Sequence, residues 1–170
     1  MQEQKVITGE SVQIINALSD FFMQCPLMKD GSFNIDYLGE SPIQYALEVL
    51  PCNPLVKKYV DGSGVYRYQF AFTSREYCNQ ERMQAIDNSA FYEDFYNWVE
   101  SLNYKDESGK SRLPDLSQCK GLTAKSIHCL TNGYAFEGTM TNARYQIQVE
   151  LQYIKEVNDG KGSNTETRNR

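Results

Sequence analysis

The sequence predicts an α+β fold: a mostly antiparallel sheet with two main helices packed on one face. Runs with period-two apolar alternation fall together, while two runs with helical spacing stand apart, one near the N-terminus and one mid-chain. The clearest run is Asn142–Tyr153, where Tyr145, Ile147, Val149, Leu151 and Tyr153 take one side. Arg144, Gln146, Gln148, Glu150 and Gln152 take the other, the pattern of a strand with a single buried face. With 170 residues, 41% of them apolar, the chain can build one real core.

The first element is an amphipathic helix from Thr8 to about Gln24, with Val12, Ile15, Leu18 and Phe22 at helical spacing. Ser11 or Thr8 can cap its start, and Pro26 prevents its continuation. Phe33–Leu38 reads as a strand, Gly39–Pro42 as a turn, and Ile43, Tyr45, Leu47 and Val49 alternate along the next strand. Pro51 and Pro54 break that run. Val56–Val60 leads into Asp61-Gly-Ser-Gly64, a hairpin turn in which glycine supplies positive φ. Beyond it Tyr66, Tyr68, Phe70 and Phe72 oppose Val65, Arg67, Gln69, Ala71 and Thr73, a second nearly uncharged strand face.

Residues 80–102 return to helical spacing, with Met83, Ile86, Ala90, Phe91, Phe95, Trp98, Val99 and Leu102 in one stripe. Asn79 is its candidate cap, and Asp87-Asn88-Ser89 a candidate break. Residues 103–121 form a long polar connection, of the kind that binds something or moves. Leu122–Leu130, Tyr134–Phe136 and Asn142–Tyr153 then predict a three-stranded antiparallel meander. A single domain over 1–155 is expected, with 156–170 a flexible tail that lacks periodicity.

Charge and cysteine usage narrow the function classes. The net charge is −5, which disfavours nucleic-acid binding by bulk electrostatics. Residues 76–107 hold eight acids and two bases, so the acidity sits on the second helix and its flanks. The five cysteines lack the paired spacing of a zinc or redox site, so free thiols and no metal are expected. No run of the sequence is long and apolar enough to span a membrane, and the residues before the first helix lack the basic-then-apolar pattern of a leader, so neither a span nor a leader is expected.

Catalytic constellations are missing from the pattern. His128 is the only histidine and adjoins Cys129, yet neighbours in a strand point to opposite faces and cannot act as a base and nucleophile pair. Asp61-Gly62 lacks the oxygen series of a calcium loop. Neither Gly62-Ser-Gly64 nor Gly160-Lys-Gly162 fits a phosphate cradle. No catalytic residue and no cofactor are expected.

Six segments in order carry a resemblance: Asn34–Gly39, Lys58–Gly62, Tyr68–Tyr77, Asn88–Glu93, Leu113–Leu116 and Thr141–Gln148. Over roughly residues 12–155 the chain resembles a family of small proteins of tailed phages and prophages of Gram-positive bacteria. They are called minor capsid proteins or, misleadingly, chloramphenicol resistance proteins. The resemblance implies a structural virion protein of the tail and neck region, assembled in the host cytoplasm: a tail terminator (tail completion protein). Such a protein forms a homohexameric ring that caps the tail tube and joins it to the neck and head. Its partners would be copies of itself, the tail tube protein and a neck or head-completion protein. DNA would pass through without sequence-specific binding, and no membrane would be involved.

A head–tail adaptor, a minor capsid subunit, a host-directed inhibitor and a small-molecule acetyltransferase are the alternatives. Acetyl transfer to chloramphenicol by the known enzyme uses a His-x-x-x-Asp context, and here Asn132 stands in the Asp place after His128. The candidate interface is therefore Lys57, Lys58, Tyr59 and Asp61 on the hairpin with Arg67, Gln69, Arg144, Gln146, Gln148 and Glu150 on the low-charge strand faces. Neutral amides can meet a neighbour without the several kcal/mol per ion that burying charge costs.

Overall fold

Two strands of 14 residues each, Gly64–Tyr77 and Asn142–Lys155, pair antiparallel along their whole length and form the spine of a seven-stranded sheet. The computed structural model describes residues 9–29, 32–40, 43–77, 82–138 and 142–157. In chain order the elements are α1 (Glu10–Phe22), β1 (Ser32–Ile35), β2 (Gln44–Leu50), β3 (Leu55–Lys58) and β4 (Gly64–Tyr77). They continue with α2 (Arg82–Ser101), β5 (Leu122–Cys129), β6 (Tyr134–Gly138) and β7 (Asn142–Lys155). The strand order is β1-β2-β4-β7-β5, with β3 also on β4 and β6 also on β7.

Each spine strand is flanked by a neighbour broken in two. β2 covers Gln69–Arg75 of β4 and β3 covers Gly64–Tyr66, interrupted where Pro51 and Pro54 remove ladder donors. On the other side β5 covers Val149–Lys155 of β7 and β6 covers Ala143–Gln146. The expected meander is corrected here. β5 and β6 both pair with β7 and not with each other, because Leu130–Gly133 steps along one edge instead of reversing. β1 runs parallel to β2. Its return loop uses left-handed backbone at Asp36 (φ 53) and Ile43 (φ 59). That conformation costs a β-branched residue about 1–3 kcal/mol. It is held by the Ile43 amide donating to the Arg75 carbonyl at 2.7 Å, while Arg75 Nε donates to the Gly39 carbonyl at 2.7 Å.

Both helices pack on the face that carries the aromatic side of β4. Phe22 from α1 and Phe95 from α2 meet Phe70 and Phe72, with the Phe72 and Phe95 rings stacked at 4.2 Å. Val149, Ile147, Leu151 and Leu47 complete this fully buried layer. Each such side chain contributes roughly 1.5–3 kcal/mol on burial.

The helical stripes turn slightly from their predicted phase. In α1 the buried side is Ile14, Ile15, Leu18 and Phe22, and Val12 is exposed. Gly9 stands at the cap position, and the Ser11 hydroxyl pairs with the Tyr68 hydroxyl at 3.2 Å instead of capping; Thr8 lies outside the described residues. In α2 Ala90 is exposed and Tyr92 is buried, its hydroxyl 2.7 Å from that of Ser74.

α2 is unbroken through Asp87-Asn88-Ser89, because the Asn88 amide turns inward and donates to the Tyr77 carbonyl. The proposed Asn79 cap lies outside the described residues, as does the tail beyond Val157. The 103–121 connection is exposed over residues 104–111 and packs in its second half, with Pro114, Leu116 and Cys119 buried beside α1.

Candidate functional site

Because both helices occupy one side, the opposite side of the sheet carries no helix among the described residues. Alternation sends Gln44, Ala46 and Glu48 of β2 to this face, then Arg67, Gln69, Ala71, Thr73 and Arg75 of β4. β7 adds Arg144, Gln146, Gln148, Glu150 and Gln152. Six of the candidate interface residues, Arg67, Gln69, Arg144, Gln146, Gln148 and Glu150, are thus brought together.

They do not form an uncharged surface, which corrects the expectation from their sequence. Glu48, Glu150, Arg67, Arg75 and Arg144 share the face; both carboxylates are paired with an arginine within its plane, and Arg75 donates to the Gly39 carbonyl and the Asn142 side chain. Nη2 of Arg144 donates to both carboxylate oxygens of Glu48 at 2.6 and 2.7 Å. In register that bond runs diagonally from β7 across β4 to β2, and Thr73 and Ala46 between its ends are fully buried. Glu150 accepts from Gln69 Nε2 and Gln152 Nε2, each at 2.8 Å, with Arg67 Nη1 at 3.6 Å. Burial pushes the Glu150 carboxyl up, but the amide bonds and Arg67 outweigh it and hold it below its ordinary value.

Gln146 Nε2 donates to the Tyr134 hydroxyl, which Gln148 Nε2 approaches at 3.5 Å. Gln146 and Glu150 are already buried in the single chain, while Arg67, Gln69, Arg144 and Gln148 are half-buried. The Nε donors of Arg67 and Arg144 find no acceptor among the described residues.

The other four candidates, Lys57, Lys58, Tyr59 and Asp61, lie apart from this network on the exposed β3–β4 hairpin. Asp61 makes the turn: its Oδ1 accepts from the Ser63 amide at 2.9 Å and hydroxyl at 2.6 Å, which lowers its pKa. Gly62 takes φ 89, and the Tyr59 amide donates to the Ser63 carbonyl at 2.9 Å. Leu55, Val56 and Val60 are exposed on the same hairpin. It is an ordered arm with an apolar and basic surface.

A structural feature that sequence reasoning missed lies at β5. The Asn103 side chain donates to the Ile127 carbonyl at 2.6 Å and accepts from the Ile127 amide at 2.8 Å, as a neighbouring strand would. Glu100 Oε1 accepts from the Cys129 amide at 2.8 Å, and its Oε2 lies 2.9 Å from His128 Nδ1. The end of α2 and the turn after it therefore cover the Ile127–Cys129 stretch of the β5 edge. The spacing Glu100-x-x-Asn103 is visible in the sequence, but nothing there tells which strand it meets.

His128 and Cys129 do face opposite ways, since their β7 partners Glu150 and Val149 lie on opposite sides of the sheet. Burial and the Glu100 charge push the Cys129 thiol up to about 12, the reverse of an activated nucleophile. Cys25, Cys52, Cys119 and Cys129 are free; Cys78 lies outside the described residues. An open groove of about 970 Å³ separates α1 from residues 110–124, lined by Gln13, Asn16, Asp20, Arg112 and Gln118 among others.

No model of a known protein family matches the chain, and no curated protein is similar to it in sequence.

Proposed function

We propose that the chain is a structural protein of a phage virion, a tail terminator whose copies form a ring that caps the tail tube and joins it to the neck. One observation carries the physical side of this reading. The helix-free face spans the sheet, and both its carboxylates are matched in plane, Glu48 by Arg144 and Glu150 by Gln69, Gln152 and Arg67. A face whose carboxylates are already paired can be covered by protein at a lower desolvation cost than one carrying isolated carboxylates. The β3–β4 hairpin supplies exposed apolar anchors, Leu55, Val56 and Val60, of the kind a docking arm uses. The ordered segments from Asn34–Gly39 to Thr141–Gln148 give the reading its family context. Ring contacts between such subunits would bury on the order of 1,200–2,000 Å² per pair.

The test is genetic and compositional. Mass spectrometry of purified particles is expected to find the chain in the virion. Imaging after deletion of its gene is expected to show overlong or headless tails. Normal particles without the chain would overturn the proposal.

A further inference from the structure

The outer boundaries of the sheet are not treated alike. β5 is closed by Asn103 and Glu100. β1, of 4 residues, has α1 packed against it. β3 and β6 remain, each paired with one strand only. All four residues of β3 are exposed, as are Ala135, Phe136, Glu137 and Gly138 of β6. Exposed edges offer unpaired backbone groups to another chain, which is why proteins usually block them. Among the described residues two edges are covered and two are left open.

Direction and charge say what the open edges fit. β3 runs opposite to β4, β7 runs opposite to β4, and β6 runs opposite to β7. β3 and β6 therefore run in opposite senses on opposite flanks of one sheet. Two copies set side by side in the same orientation bring β3 of one against β6 of the next as an antiparallel pair. β3 carries Lys57 and Lys58 beside exposed Leu55 and Val56, and β6 carries Glu137 beside exposed Phe136. Pairing β3 with β3 would join two basic strands and pairing β6 with β6 two acidic ones, with no opposite charge to match. The mixed pair alone places opposite charges and apolar side chains together.

We propose that β3 of one copy adds to β6 of a second copy, head to tail, so that the sheet runs on from subunit to subunit. This rests on the ring reading above and names the surfaces that would build the ring. A head-to-tail contact uses different patches on the two partners, and it closes into a ring when the rotation per step allows. β3 and β6 sit at opposite ends of the spine, so successive copies are displaced along their strands. In a closed assembly such displacement appears as strand tilt against the ring axis. A strand pair this short supplies only part of such a ring contact, so isolated copies should associate weakly, with closure supplying the rest.

A photoactivatable benzophenone amino acid at Phe136 of the full chain, irradiated under assembling conditions, is expected to cross-link to Leu55–Lys58 of another copy. Lys57→Glu with Lys58→Glu, and separately Glu137→Lys, should each raise the concentration needed for assembly roughly tenfold or more. Combining all three changes should restore it, with far-ultraviolet circular dichroism confirming that each variant is folded. A ring unaffected by either reversal, with cross-links mapping elsewhere, overturns the strand pairing and leaves the ring reading standing. Cross-links from 136 to 136 also overturn the pairing, because they mark a symmetric contact. A chain that stays monomeric at every concentration and is missing from particles overturns both.

Discussion

Glu150 accepts hydrogen bonds from Gln69 and Gln152 and faces Arg67, so the folded state binds its charged form better than the unfolded chain does. Its folded pKa is depressed from 4.5. The stability it contributes is therefore fully present above the unfolded value and is lost as pH falls through the lower, folded one. Glu150→Gln should cost about 1–3 kcal/mol at neutral pH, by leaving Arg67 and one amide short of an acceptor. Urea midpoints of the two proteins should draw together as pH falls below the unfolded pKa and converge below the folded one; a gap that stays constant with pH would show that the carboxylate is not the cause. Phe72 poses the opposite case, a residue whose role is shape. Its ring touches those of Phe22, Tyr45, Phe91, Tyr92 and Phe95, so it joins both helices to the sheet. Phe72→Ala should destabilise by about 3–5 kcal/mol in the same urea assay.

At the scale of elements, the β5 edge tests whether two side chains can replace a strand. Asn103→Ala removes both bonds to Ile127 and leaves two backbone groups of an edge strand without partners. A loss of about 1–3 kcal/mol is expected. Native-state hydrogen exchange should locate it, with the Ile127 amide exchanging roughly tenfold faster or more while amides of β4 change little. Equal loss of protection across both spine strands would mean that Asn103 supports the whole core instead.

The elements themselves were largely legible in the sequence. The alternation in 142–153, the Asp61–Gly64 turn and the aromatic stripe of α2 each follow from a period, and periods survive without tertiary knowledge. Pairing did not. The interruption at Leu130–Gly133 looks like a hairpin turn, yet the chain steps along the same neighbour. No side-chain period reports the direction of β1. The face of α1 shifted from Val12 to Ile14 because both fit a helical stripe, and only the sheet beneath decides between them. The six network residues were legible as one face, since alternation assigns them. Their charge matching was not, because it joins Glu48 and Arg144 across three strands.

The whole molecule separates what holds the fold from what is left for a partner, and two neighbouring glutamines make that separation measurable. Gln146 and Gln148 point the same way from β7, toward Tyr134. Gln146 is buried and bonded to the Tyr134 hydroxyl. Gln148 is half-buried, and its amide reaches the same hydroxyl only at 3.5 Å. Gln146→Lys forces an ammonium into a site already filled in the single chain, so it should destabilise the monomer by about 1–3 kcal/mol. Gln148→Lys can turn its ammonium to water, so the monomer should stay within about 0.5 kcal/mol of wild type. If the face is covered during assembly, the added charge at 148 must then be desolvated, a cost that appears only in the assembled state. Urea denaturation of dilute protein measures the first effect, and sedimentation across a concentration series measures the second. The expected pattern is a fold defect for Gln146→Lys and an assembly defect without a fold defect for Gln148→Lys. Unchanged assembly by Gln148→Lys would show that this part of the face stays in water, and the contact between copies would then lie at the sheet edges alone.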